Sequence, residues 1–174
     1  MVKIDTSELK ERMSDLHAGD RVLLSGIVYT ARDAAHKRLI SMLENGEKLP
    51  FDLEGAVIYY AGPTPAKNGL AVGSCGPTTS SRMDVFSPIL IERGLTGMIG
   101  KGQRSPEVIE SMKKHGAIYF CAIGGAGALA SKAIKNCDII AFPELGCESF
   151  KKMYIEYFSL IVGIDGEGNN IFNR

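Results

Sequence analysis

Short apolar runs alternate along the chain with segments in which apolar residues recur at helical spacing. β-branched and aromatic residues in these runs predict strands at Arg21–Tyr29, Gly55–Tyr60, Ala117–Ile123 and Asp138–Phe142. Cap residues and glycine or proline breaks predict helices that end near residues 45, 93, 116 and 135. This alternation predicts an α/β fold with a mixed sheet flanked by helices.

Both ends of the chain carry less regular patterns. Residues 1–18 are mixed and polar, and predict a lead-in segment with a short helix near Glu8–Leu16. Residues 151–172 alternate loosely around Asp165-Gly166-Glu167-Gly168, which is typical of a terminal hairpin. We expect a single domain over residues 1–174, because a chain of 174 residues suits one domain.

The charge balance and hydropathy argue against several classes of partner. The chain has 20 Lys and Arg against 20 Asp and Glu, without the basic excess of nucleic-acid-binding proteins. The longest apolar runs, such as Phe158–Ile164, are too short to span a bilayer, and Met1–Asp5 lacks a signal-peptide core. We therefore expect a cytoplasmic protein with no nucleic-acid or membrane partner.

The four cysteines, Cys75, Cys121, Cys137 and Cys147, form no Cys-x-x-Cys pair. Their spacing argues against a closed zinc or iron–sulfur site built by this chain alone. We expect free thiols, with Cys121 in the core, and no metal ligands in this chain.

Three cations have informative neighbours. Thr30–Asp33 has the form of a capping box, which places Arg32 about two residues inside a predicted helix, and Arg82 lies near the start of the next one. Free backbone N–H groups at such helix starts favour an anion. Two such arginines can share an anionic ligand with these groups, and each alone can equally be a solvated surface residue. Lys101 lies between Gly100 and Gly102, which allow close backbone approach, and Gly102 excludes a Walker A motif.

Two further motifs leave alternatives open. The adjacent Thr78 and Thr79 can supply one helix cap and one free hydroxyl for other work. The Gly125-x-Gly127-x-x-Ala130 turn follows a predicted strand and opens a helix, and Glu144 falls 19 residues after Gly125. This is the spacing of a dinucleotide-binding fingerprint, so a nucleotide-binding module is a rival hypothesis.

Several segments together resemble one family. In chain order they are Thr30–His36 (TARDAAH), Tyr60–Pro63 (YAGP), Gly76–Asp84 (GPTTSSRMD), Gly100–Gly102 (GKG), Ile123–Gly125 (IGG) and Pro143–Gly146 (PELG). They resemble the β subunit, or C-terminal half, of the iron–sulfur-dependent class I fumarate hydratases and L-tartrate dehydratases. The resemblance covers about residues 19–172, and GPTTSSRMD is its most specific part. Two residues depart from the family pattern. Cys147 occupies a position where the family has methionine, and Ser81 occupies one where many members have glycine.

The resemblance implies a swivelling β/β/α fold and a subunit of a hydro-lyase. The reaction would be the reversible hydration of fumarate to (S)-malate, or the dehydration of tartrate. The resemblance also implies a [4Fe–4S] cluster held by a partner α subunit and not by this chain, in an α2β2 heteromer. Family members carry a similar Gly-Gly turn without using a dinucleotide, which weakens the nucleotide-binding hypothesis.

The resemblance also assigns roles to residues. Arg32, Arg82 and Lys101 match the positions that bind the substrate, and Thr78 matches the position proposed for proton transfer. Thr78 can instead only position the substrate, because a threonine hydroxyl is a weak base without an activating neighbour. His36 and Glu144 lie in family motifs without a role that the residues reveal, and a structural role is favoured for His36.

Overall fold

Strands and helices alternate through most of the structure, a computed structural model that describes residues 1–122 and 127–173. The strands are β1 (Val2–Asp5), β2 (Arg21–Thr30), β3 (Val57–Tyr59), β4 (Gly97–Gly100), β5 (Ile118–Cys121), β6 (Ile134–Ala141) and β7 (Phe150–Ile164). The α-helices are α1 (Asp33–Glu44), α2 (Ser87–Glu92), α3 (Pro106–His115) and α4 (Gly127–Ala133). Short 3-10 helices lie at Thr6–Glu8, Met13–Asp15, Ser80–Met83 and Pro143–Glu148.

The strands of the described residues form one mixed sheet of seven, in the order β1-β2-β3-β4-β5-β7-β6. Strands β1 to β5 pair in parallel, whereas β7 runs antiparallel to β5 and β6. Because β7 also pairs antiparallel with the whole length of β2, strands β2, β3, β4, β5 and β7 close into a ring. The predicted α/β fold with a mixed sheet flanked by helices is confirmed.

Successive residues of the strands face two different apolar cores, as the pleat of a sheet requires. Val57 and Tyr59 of β3 belong to a core to which all five strands of the ring contribute. Ile58 and Tyr60 belong to a second core, which α1, α2 and α3 cover with their apolar faces. Strands β3 and β4 are therefore buried on both faces, which explains their continuous apolar runs. β2, β6 and β7 keep exposed or partly exposed residues.

The C-terminal segment differs from the predicted hairpin over residues 151–172. β7 is one strand of 15 residues, and the chain turns at Asp165–Gly168 as predicted. Among the described residues, a single isolated bridge between Ile164 and Asn170 joins the returning segment to β7. No hairpin forms there because β7 already has β2 along one edge and β5 and β6 along the other.

Two predicted helices are also shorter than expected. The lead-in helix near Glu8–Leu16 is replaced by the 3-10 turns Thr6–Glu8 and Met13–Asp15. The helix predicted to reach Arg93 is split into Ser80–Met83 and α2, and Pro88 lies in the first turn of α2. Proline is tolerated there because the first helical N–H groups have no partner within the helix.

Candidate active site

The carboxyl ends of the parallel strands β2, β3 and β4 lie at one edge of the sheet, and the predicted site residues follow them. Arg32 comes two residues after the end of β2. The Thr78 N–H donates to the Tyr60 carbonyl, just beyond β3, at 2.8 Å. Lys101 follows β4 directly and pairs with Thr79 in a parallel bridge. The structure therefore brings the backbones of Arg32, Thr78 and Lys101 to the same edge.

Arg82 links two of these loops through its guanidinium group. Its Nε and Nη2 donate to Asp33 Oδ2 at 3.1 and 2.9 Å, and its Nη1 reaches Thr78 Oγ1 at 3.5 Å. Arg82 is the third residue of the 3-10 helix Ser80–Met83, three residues after its N-cap Thr79, which agrees with its predicted place near a helix start. Because the side chain is 49% exposed, a ligand can still approach the guanidinium.

Arg32 occupies the N-cap of α1, so the prediction that it lies two residues inside the helix is wrong. The capping box predicted over Thr30–Asp33 does not form, and the Thr30 hydroxyl is buried without a hydrogen-bond partner among the described residues. The Arg32 side chain lies against Gly62, where an added Cβ would be 3.2 Å from its Cδ. Its Nε is buried and lies 3.9 Å from Glu148 Oε1, too far for a hydrogen bond.

Lys101 is exposed, and the structure explains the glycine that precedes it. A Cβ at Gly100 would collide with Ser80 Oγ and lie 2.8 Å from Tyr60 Cδ2. Ser80 is held at this place because its N–H donates to the Lys101 carbonyl at 2.9 Å. Gly100 thus allows the Ser80–Met83 turn, which carries Arg82, to pack directly on β4.

The two threonines are oriented differently. Thr79 takes the N-cap position of the Ser80–Met83 turn, but its exposed side chain makes no capping hydrogen bond. Thr78 is half-buried, and its hydroxyl faces the Arg82 guanidinium. A nearby cation favours the deprotonated form of a hydroxyl, which is the form that accepts a proton.

Comparison with known proteins agrees with the motifs at this edge. The family model described as Fumarase C-terminus matches residues 1–174. This chain belongs to the Fumarase C-terminus family. It is 37% identical over 177 residues to the L(+)-tartrate dehydratase subunit beta of Escherichia coli (strain K12), a match that covers 98% of this chain and 87% of that protein.

Longer relatives contain the Fumarase C-terminus family segment as one part. The chain is 38% identical over 169 residues to "Fumarate hydratase class I, aerobic" of Escherichia coli (strain K12), which covers 96% of this chain and 31% of that protein. It is 38% identical over 179 residues to "Fumarate hydratase 2" of Leishmania major, and this match covers 99% of this chain and 32% of that protein. The chain therefore spans about a third of the length of these fumarate hydratases.

Family membership and sheet order both argue against the nucleotide-binding alternative. Gly125 lies outside the described residues, and Gly127 begins α4. The strand after α4 is β6, and β7 lies between β6 and β5. A Rossmann fingerprint instead joins neighbouring parallel strands of one sheet. Glu144 pairs with Arg38 at 2.8 Å on the surface.

The cysteines of this family member do not fit an iron–sulfur cluster. All four are free thiols, as predicted, and Cys121 is half-buried at the edge of the second core. Burial raises the pKa of Cys75 to about 12 and also raises the pKa values of Cys121 and Cys137. Metals bind thiolates, which this burial disfavours. No group of three or more described His, Cys, Asp or Glu residues could hold a metal ion.

One further property concerns membranes. In the part of the chain that the structure describes, no helix has both the length and the apolar character needed to cross a bilayer.

His36 lies behind Arg32 and does not face the site. Its Nδ1 is 2.8 Å from the Arg32 carbonyl oxygen, which also accepts the His36 backbone N–H. Burial lowers the pKa of His36 to about 4, so the ring is neutral and the geometry assigns its proton to Nδ1. The ring also packs against Phe86 and Tyr60, with ring centres 5.5 Å apart in each pair. His36 therefore holds the backbone of Arg32.

The sequence did not identify three charged residues that support the loops of the site, namely Asp33, Asp84 and Arg104. Asp33 binds Arg82, although the sequence pattern assigned it to a capping box with Thr30. Asp84 and Arg104 form a buried ion pair beneath the site. Their nearness in sequence to the predicted site residues could have indicated them. Asp33 follows Arg32, Asp84 ends the GPTTSSRMD segment, and Arg104 lies three residues after Lys101.

Proposed function

We propose that this chain is the β subunit of a hydro-lyase that reversibly hydrates fumarate to (S)-malate or dehydrates tartrate. The observation that carries the proposal is the convergence of Arg32, Thr78, Arg82 and Lys101 at one edge of the sheet in a member of this family. Relatives named fumarate hydratase and L(+)-tartrate dehydratase subunit beta support it, because both names describe enzymes that add or remove water.

A four-carbon dicarboxylate has two anionic ends, and the site offers cations for both. Arg32 Nε is buried without a hydrogen-bond partner among the described residues, which favours a ligand at this donor. The exposed Lys101 and the half-exposed Arg82 are accessible to a second carboxylate. Arginine suits planar, bidentate recognition of a carboxylate, whereas lysine supplies a point charge.

We assign proton transfer next to one substrate carboxylate to Thr78. The Arg82 guanidinium, 3.5 Å from the Thr78 hydroxyl, would stabilise the alkoxide that accepts the proton. Removal of that proton places negative charge on the adjacent carboxylate, and fixed cations stabilise this charge in the transition state. The alternative role of Thr78 is to position the substrate by a hydrogen bond.

The rest of the enzyme belongs to a partner in this proposal. The chain matches about a third of the fumarate hydratases, and its tartrate dehydratase relative is named as a subunit beta. We therefore place the [4Fe–4S] cluster on an α subunit, since the four thiols of this chain do not fit it. The proposed assembly is a cytoplasmic α2β2 heteromer.

The test is co-expression with the iron–sulfur α subunit from the same genome, followed by anaerobic purification. Activity on fumarate, malate and tartrate is measured side by side, and native mass determination gives the subunit ratio. We expect the complex to convert one of these substrates. A complex that is loaded with its cluster but converts none of them would contradict the proposal.

Variants of the cations test the site within that complex. Arg82→Ala and Lys101→Ala are each expected to lower kcat/KM by at least about a hundredfold, or about 2.7 kcal/mol, because a substrate carboxylate loses its charge partner. Lys113→Ala is the matched control, because Lys113 is 48% exposed and pairs with Glu110 on α3. Near-normal kinetics in either site variant would remove that residue from the site.

A further inference from the structure

A buried ion pair lies beneath the candidate site. Arg104 Nε donates to Asp84 Oδ1 at 2.7 Å, and these side chains are 0% and 12% exposed. Arg104 Nη2 donates to Ser87 Oγ at 2.8 Å and to the Tyr60 hydroxyl at 3.2 Å. The guanidinium also lies 4.9 Å from the ring centre of Tyr119, within the range of a cation–π interaction. Hydrogen bonds, an ion pair and a cation–π contact therefore fix the position of the Arg104 guanidinium.

The ion pair joins the two loops that carry the site cations. Asp84 follows Arg82 by two residues, and Arg104 follows Lys101 by three. Asp84 Oδ2 also accepts the Ser105 N–H at 2.8 Å, at the start of α3. Both oxygens of one carboxylate thus hold the Lys101 loop to the loop of Thr78 and Arg82.

A tyrosine makes a second connection between the same loops. The Tyr119 hydroxyl lies 2.8 Å from Ser80 Oγ and 2.8 Å from the Gly102 carbonyl oxygen. Ser80 belongs to the 3-10 helix that carries Arg82, and Gly102 follows Lys101. These buried polar groups therefore form a network that connects the two loops to each other.

We propose that Asp84 and Arg104 are positioning residues that fix the distance between Lys101 and the Thr78–Arg82 loop. The inference rests on the proposed function, because it concerns the cations that would bind the substrate carboxylates. Arg104 cannot touch a substrate, since its side chain is fully buried. It acts through the loops that it connects.

Stability alone explains this pair poorly. Removing two charges from water often costs more than their attraction returns, and apolar residues of similar volume can stabilise a fold better. A planar guanidinium supplies directed hydrogen bonds, which fix the geometry of the groups around it. Such geometry matters at an active site, because small displacements of the groups that stabilise charge reduce the rate.

The experiment compares Asp84→Asn, Arg104→Met and the double variant in the complex with the α subunit. Each single variant is expected to lower kcat/KM at least about tenfold per folded enzyme. The double variant is expected to show about the same loss as the worse single variant, because both residues act as one unit. Arg104→Lys is expected to recover part of the activity, since lysine can still pair with Asp84.

A matched control separates positioning from stability. Asp165 is also a buried carboxylate, and it accepts the backbone N–H groups of Ala18, Glu167 and Asn169 at the opposite edge of the sheet. Asp165→Asn is expected to lower the melting temperature but to leave kcat/KM unchanged. The proposal is overturned if Asp84→Asn behaves in the same way, with a lower melting temperature and an unchanged kcat/KM.

Hydrogen–deuterium exchange supplies a readout that does not depend on turnover. Residues 98–105 are expected to exchange faster in Asp84→Asn than in the unmodified chain or in Asp165→Asn, while β1 is unchanged. Unchanged exchange of residues 98–105 would overturn the proposal. Faster exchange in a complex without hydro-lyase activity would contradict the proposed function and still support the connection between the loops.

Discussion

At the scale of single residues, kinetics can separate a chemical from a positioning role for the Thr78 hydroxyl. Thr78→Ala is expected to lower kcat at least about a hundredfold with little change in KM, because the lost interaction belongs to the transition state. Thr78→Ser keeps a hydroxyl near Arg82 and should retain measurable activity. Steady-state kinetics of the complex, with thermal melts of each variant, provides the measurement.

Thr79→Ala is the control for this prediction, because Thr79 is the exposed neighbour and makes no capping hydrogen bond. It should retain both the kcat and the melting temperature of the unmodified protein. A Thr78→Ala enzyme with kcat within about threefold of the unmodified value would assign Thr78 to binding or structure. A structural role would appear instead as a lower melting temperature of Thr78→Ala, because the Thr78 hydroxyl would no longer pack against the Arg82 guanidinium.

The buried His36 makes stability depend on pH. Burial lowers its pKa from 6.5 to about 4 in the folded chain, because a charged ring is disfavoured away from water. Between these values the unfolded chain binds more protons than the folded chain, so the free energy of unfolding falls as the pH falls from about 6.5 to about 4. The full effect is roughly 3 kcal/mol, which is retained above that range and lost below it.

Denaturant unfolding at about pH 7 and about pH 5 tests this prediction. His36→Asn keeps a donor for the Arg32 carbonyl but cannot titrate, so it should show a flatter dependence on pH. Asp165 does not disturb this comparison, because hydrogen bonds from Asn169 and Ala18 lower its pKa below the usual value of 3.8 despite burial. Its effect on stability therefore appears only at lower pH. Equal slopes in the variant and the unmodified chain would show that His36 is not responsible.

At the scale of elements, local signals predict helix ends better than strand partners. α3 begins after Ser105, whose Oγ accepts the Val108 N–H at 3.3 Å, and ends at Gly116 with φ of 74°, as the pattern predicts. The long strand β7 was missed because alternation identifies a strand but does not identify its neighbours. Its main partner is distant in sequence, since Lys151 pairs with Thr30.

The candidate site shows the same limit. Arg32 could be selected from sequence because it follows a predicted strand near a predicted helix start, and Lys101 because glycines flank it on both sides. Arg104 could not, because its burial depends on Tyr60 and Tyr119, which lie on or next to strands far along the chain. Composition gives no sign that one of 20 basic residues is fully buried.

A substitution of Gly100 tests whether the position of the 3-10 helix that carries Arg82 depends on its close packing against β4. Gly100→Ala should lower both the melting temperature and kcat/KM, because its Cβ would collide with Ser80 Oγ and displace the turn that carries Arg82. Gly76→Ala is the control, since an added Cβ there meets nothing closer than 3.8 Å. Kinetics and thermal melts of both variants give the answer, and an unchanged Gly100→Ala enzyme would show that the turn adapts freely.

At the scale of the whole molecule, the closed ring directs the site cations to one open edge. Arg82 is 49% exposed and Lys101 is exposed, so water screens both in the isolated chain. Exposed ion pairs contribute only about 0–1 kcal/mol each, which is too little to hold a dicarboxylate firmly. A partner that covers this edge would strengthen the same contacts by excluding water.

The isolated chain should therefore be colourless and inactive, and both properties should change only when the α subunit is present. Anaerobic incubation of the chain with iron and sulfide should give no visible cluster absorption, because burial raises the pKa of three thiols and leaves Cys147 as the exposed one. A Cys147→Ser chain is the control, since iron bound loosely at a single thiol would disappear in it. A stoichiometric cluster or hydratase activity in the chain alone would contradict the prediction. It would also remove the main reason for assigning the cluster to a partner, which is that Cys147 is the one exposed thiol among the four of this chain.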